Sequence, residues 1–70
     1  MSTITLTNLG KSVAENTHAS GPEQAVLSLL YETNGPVDFD EIVDELRTSE
    51  EKASMLVRNL INKGYIHEIA

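Results

Sequence analysis

The sequence predicts a mainly α-helical domain with a three-helix core and a small antiparallel β pair supplied by the two ends of the chain. Three observations carry this. Turn chemistry divides the chain at Ala19-Ser20-Gly21-Pro22 and Asn34-Gly35-Pro36, where a permissive glycine sits beside a proline that disfavours helix in the residue before it. Between and after these turns, three stretches carry apolar residues at helical spacing. The two strand-like stretches, Thr3-Ile4-Thr5-Leu6-Thr7 and Tyr65-Ile66-His67-Glu68-Ile69, lie at opposite ends, and each needs a partner for its backbone hydrogen bonds.

The N-terminal stretch alternates β-branched polar and apolar residues, as a half-buried strand does. The first core helix begins near Pro22, which suits the first helical position. It presents Val26, Leu29 and Leu30 on one stripe with Ala25 and Leu27 beside it, and stops at Asn34 or Gly35 in a left-handed cap. In the second, Phe39, Ile42, Val43 and Leu46 fall at i, i+3, i+4 and i+7, and Asp38 and Glu41 suit its N-cap and N3 positions. The third starts at Thr48, whose spacing to Glu51 is a capping box; Ala53, Leu56, Val57, Leu60 and Ile61 form its stripe, and Gly64 ends it. The connection between the second and third helices is about two or three residues, which forces a sharp crossing: a helix-turn-helix. Beyond Gly64, aromatic and β-branched residues mark the C-terminal strand.

Seventy residues make a single domain, 1–70, with no room for a deep substrate cleft. Hydrophobic residues at 40% against 23% charged give the balance of a chain that folds. Without cysteine there is neither a disulfide nor a thiolate metal site, so a cytoplasmic setting is expected. The apolar runs are short, and MSTITLTN lacks the features of a signal peptide, so no membrane segment is expected. The net charge of -6 repels polyanions at long range. Its distribution is uneven. Up to Arg47 eight acids face two cations, whereas from Thr48 onward Glu50, Glu51 and Glu68 are matched by Lys52, Arg58 and Lys63.

Residues 53–66, Ala-Ser-Met-Leu-Val-Arg-Asn-Leu-Ile-Asn-Lys-Gly-Tyr-Ile, resemble the recognition helix and following strand of MarR-type winged helix-turn-helix regulators. The most specific part is Asn62-Lys63-Gly64-Tyr65-Ile66, and with the two preceding helices the likeness runs from Pro22 to Ile66. In that family the second wing strand commonly ends in Leu-Thr-x-x-Gly and enters another helix. Here Leu6-Thr7-Asn8-Leu9-Gly10 stands ahead of the three helices, as in a permutation. The resemblance implies a winged-helix-like fold whose wing is rebuilt from the two chain ends without a hairpin tip, with Thr7 capping a short helix that lays Leu9 and Val13 on the core.

Catalytic chemistry finds no support. His18 and His67 have no cysteine partners, the serines have no histidine at motif spacing, and Gly10-Lys11-Ser12 lacks the earlier glycine of a phosphate loop because Thr5 stands there. No enzyme, cofactor or metal site is expected. The resemblance implies instead a small DNA-binding transcriptional regulator that reads double-stranded DNA with the helix at 49–63. On its outer face Ser54 and Asn59 suit base edges, Arg58 a guanine or a phosphate, and Lys52 and Lys63 phosphates, with Met55 and Asn62 beside them and Thr48 and Ser49 at the N-terminus. The same residues also describe an ordinary polar helix face. Glu50 and Glu51 oppose a duplex, and Met55 stands where the family often has a basic residue. About three cations give a log-log salt slope near -3 at best, so a homodimer or a second basic partner would have to add affinity. The rival expectation is an acidic, transcription-associated adaptor that binds a protein partner through Glu32, Asp40, Glu41, Asp44 and Glu45.

Overall fold

The structure is a computed structural model that describes residues 3–16 and 21–69. His18 and residues 19–20 of the first expected turn lie outside the described residues. Strand β1 (Thr3–Leu6) leads into helix α1 (Asn8–Asn16). Helix α2 (Pro22–Thr33), strand β2 (Val37–Asp38), helix α3 (Phe39–Leu46), helix α4 (Glu50–Lys63) and strand β3 (Ile66–Glu68) follow. The architecture is mainly helical, with one small antiparallel sheet in the order β2-β1-β3.

The two ends of the chain pair, with Ile4 opposite Glu68, Thr5 opposite His67 and Leu6 opposite Ile66. The expected pair is in fact three strands, because β2 fills the other edge of β1 through Thr3 opposite Asp38 and Ile4 opposite Val37. Two residues are too few to display a period, so β2 carries no signal of its own. Its cause is the central strand: once Ile4 is buried, both edges of β1 must be satisfied.

Helix ends follow local chemistry. Pro22 opens α2, and Asn34 closes it at φ 55°, its N–H donating to the Leu30 carbonyl. Asp38 is the N-cap of α3, but its side chain makes no capping bond and instead accepts a long contact from the Thr3 hydroxyl at 3.4 Å. Thr48 does not start α4. Ser49 is the N-cap, with Oγ accepting the Lys52 N–H at 3.3 Å, and Thr48 sits half-buried in the three-residue turn opened by left-handed Arg47. Adjacent hydroxyls made both positions chemically eligible.

Gly64, at φ 82°, ends α4 with paired bonds: Gly64 N–H to the Ile61 carbonyl at 2.9 Å and Tyr65 N–H to the Leu60 carbonyl at 3.0 Å. There the Leu-Thr-x-x-Gly segment meets it. Thr7 N–H donates to the Tyr65 carbonyl at 3.0 Å, the Thr7 hydroxyl donates to the Gly64 carbonyl at 2.6 Å, and the same oxygen accepts the Gly10 N–H at 3.0 Å. Gly10 is buried so tightly that a Cβ there would fall 1.8 Å from the Tyr65 carbonyl oxygen. Thr7 thus caps α1 as expected and also ties α1 to the end of α4.

Ile4, Val26, Leu27, Leu30, Val37, Ile42, Val57, Leu60 and Ile66 form the core, which draws on every sheet strand and on α2, α3 and α4. Fully buried Ala53 lets α4 approach closely. Val13 packs against the core as expected, but Leu9 does not: it is 53% exposed, because Gly10 rather than Leu9 faces the sheet. Ala25 and Ile61, at the margins of their stripes, are also exposed. Among the described residues no helix is long and apolar enough to cross a membrane.

Candidate interaction face of the fourth helix

Helix α4 buries Ala53, Val57 and Leu60 and half-buries Leu56, which leaves the other faces in water. Lys52, Ser54, Met55, Arg58, Asn59, Asn62 and Lys63 are all exposed, so seven of the nine expected residues share the outer side of one helix, whereas Ser49 is its N-cap and Thr48 is half-buried in the preceding turn. Glu50 and Glu51 share it too, in the first turn, where the helix dipole favours carboxylates. They stabilise the helix and make its tip a poor phosphate site. The Ser49 hydroxyl is already occupied as an acceptor by the Lys52 N–H.

Of the three cations on α4, Lys63 is tied down. Its Nζ donates to Glu23 Oε1 of α2 at 2.8 Å, and this hydrogen bond, then the attraction of the carboxylate, holds its pKa above the ordinary lysine value. It is the one ion pair among the described residues. Lys52 and Arg58 remain for an outside partner. Asp40, Glu41, Asp44 and Glu45 are exposed on α3, and Glu32 is exposed near the end of α2. Asp44 and Glu45 stand in the last turn of α3, where the helix dipole disfavours carboxylates, and Arg47 follows as the C-cap.

Two adjoining hollows run along α4. A shallow one of about 490 Å³ is lined by Phe39, Glu50, Glu51, Ser54, Met55 and Arg58. The other, of about 230 Å³, shares Phe39, Ser54 and Arg58 and continues past Val57 and Ile61 to Ile4 and Glu68 at the end of the sheet. Met55 is 66% exposed. Comparison with protein-family models, with curated proteins and with solved structures finds no match to this chain. The site is therefore defined by its own chemistry.

Phe39, Ile61 and Glu68 are the lining residues that sequence reasoning missed. Phe39 and Ile61 fit apolar stripes; Phe39 does pack against the core but stays half-buried, and Ile61 is exposed. Their positions at stripe ends, with no further turn to cover them, are the signal that marks a groove margin. Glu68 enters the groove only because β3 pairs with β1, which no local pattern encodes. Among the described residues no three histidines or carboxylates are grouped to hold a metal ion.

Proposed function

We propose that the chain is a winged-helix-like domain whose role is to bind another protein, an acidic interaction module of the kind a transcription-associated adaptor would use. The observation that carries this reading is the makeup of the groove on α4. Where a duplex would approach the first turns of the helix, Glu50 and Glu51 stand beside exposed Met55 and half-buried Phe39, with Arg58 the one cation in the lining. Base edges and phosphates need donors and cations, and a surface of carboxylates and apolar groups repels both the charge and the hydration of DNA. Thioether and aromatic surface on a polar rim suits a protein partner. The winged-helix comparison is supported by the short turn between α3 and α4 and by the strand that follows Gly64. The missing hairpin tip removes a usual means of reaching DNA.

DNA binding is the second reading, favoured by one observation: Lys52, Ser54, Arg58, Asn59 and Asn62 all project into solvent from α4. With Lys63 held by Glu23, two free cations give a log-log salt slope of about -2. Fluorescence anisotropy with random-sequence duplex DNA at low salt separates the readings. The interaction module gives no saturable binding at tens of micromolar. Saturable binding that weakens with salt and disappears with Arg58→Glu would instead establish the regulator.

A further inference from the structure

The groove also names the chemistry of its occupant, and this inference rests on the interaction-module reading. We propose that the groove between the start of α3, the outer side of α4 and the sheet end receives an amphipathic helix carrying apolar anchors flanked by lysines or arginines. The apolar floor is Phe39, Met55 and Ile61, of which Met55 and Ile61 are 66% and 37% exposed. Carboxylates mark both ends: Glu50 and Glu51 on one side, Glu68 on the other, with Arg58 between them. The complementary ligand is therefore basic at its ends and carries an acid or a carbonyl opposite Arg58.

From Glu50 to Ile61 the groove follows α4 for about 16 Å, the rise of three helical turns, enough for anchors at i, i+3 or i+4, and i+7. Methionine adapts to varied apolar shapes, which suits a helix-accepting surface. A second copy of the chain is disfavoured because it also carries -6, and a nucleic acid is disfavoured for the same reason. A cationic protein segment gains from that field both in encounter rate and in selectivity.

The test uses the full chain and a fluorescein-labelled leucine-lysine peptide of about four helical turns. Its control is a scrambled peptide of the same composition that cannot align its leucines on one face. Anisotropy should show saturable binding of the amphipathic peptide and much weaker binding of the scramble. Backbone amide shifts should concentrate at Phe39, Met55, Arg58 and Ile61. Met55→Ser and Ile61→Ser, both at exposed positions, should each weaken binding about tenfold while leaving the circular dichroism spectrum unchanged. Shifts centred on Glu41, Asp44 and Glu45 would overturn the groove assignment and leave the interaction module standing. Equal binding of the scramble, or no saturable binding, overturns it as well. Concentration-dependent shifts of the groove residues without peptide would replace the proposal with self-association. Duplex binding without peptide binding would sink both this proposal and the reading beneath it.

Discussion

Substituting Gly10 with alanine tests how the two ends of the chain are locked together. The new Cβ would lie 1.8 Å from the Tyr65 carbonyl oxygen, 2.8 Å from its carbon and 3.0 Å from Leu6 Cδ2. The first two atoms are backbone and cannot rotate aside, so α1 must withdraw from the start of β3 by roughly one and a half ångströms to restore ordinary contact. That movement stretches the Thr7 N–H bond to Tyr65 and the Thr7 hydroxyl bond to Gly64, now 3.0 and 2.6 Å. Overpacking of this kind costs about 1–3 kcal/mol, and each weakened hydrogen bond about 1 kcal/mol more. Against this, alanine in place of glycine favours α1 by about 1 kcal/mol. The balance is a loss of about 2–4 kcal/mol, a large share of the roughly 4–10 kcal/mol that a domain of this size holds. The melting temperature should fall by about 10–30 °C. Thermal and urea unfolding followed by circular dichroism measure it, with Gly35→Ala as control, since a Cβ there meets nothing closer than 4.0 Å. A Gly10→Ala protein that melts with, or above, the natural chain refutes the close approach.

Other consequences are smaller and separable. Ser49→Ala should cost about 1 kcal/mol of stability and Thr48→Ala much less, in a pair of urea titrations; the reverse order would move the cap of α4 back to Thr48. Ile42→Ala empties a fully buried site between α3 and the rest of the core. It should cost about 2–5 kcal/mol, read as a lowered midpoint of urea unfolding by circular dichroism. Tyr31 donates its hydroxyl to Glu15 at 2.8 Å, and that bond, then burial and the negative charge, raises its pKa above the ordinary value near 10. Because the protonated form is favoured in the fold, its contribution is present at neutral pH and is lost as pH climbs through the raised value. Glu15→Ala should therefore move the tyrosinate absorbance step to lower pH, and an unmoved step would show that the bond does not persist in solution.

Local chemistry made much of the fold readable. Pro22, Asn34 and Gly64 set helix ends at the positions their backbone preferences require. The stripes of α3 and α4 place Ile42, Ala53, Val57 and Leu60 in the core because burial follows helical period. In the Leu-Thr-x-x-Gly segment, threonine and glycine are the residues that fit against Gly64 and Tyr65. What stayed hidden depends on distant partners. Strand β2 exists because β1 lies beside it, the exposure of Leu9 follows from the side of α1 that Gly10 must present, and the capture of Lys63 by Glu23 joins residues on different helices. The groove was hidden for the same reason. Its members Phe39, Met55, Ile61 and Glu68 come from three elements, and only their assembly shows an apolar floor between acids. That assembly is the support for the proposed protein-binding role over a DNA-reading one.

The groove on α4 requires β1 to lie antiparallel to β3 in one register, because Ile4 and Glu68 close it from opposite ends of the chain. Nuclear Overhauser spectroscopy tests this directly. Thr7 and Ile69 supply bonded N–H groups across the pair, so the closely spaced non-bonded positions are Ile4 with Glu68 and Leu6 with Ile66. Strong Hα–Hα effects between the members of both pairs are the expected result. Their absence, or their appearance one residue out of step, would contradict the pairing and with it the shape of the site.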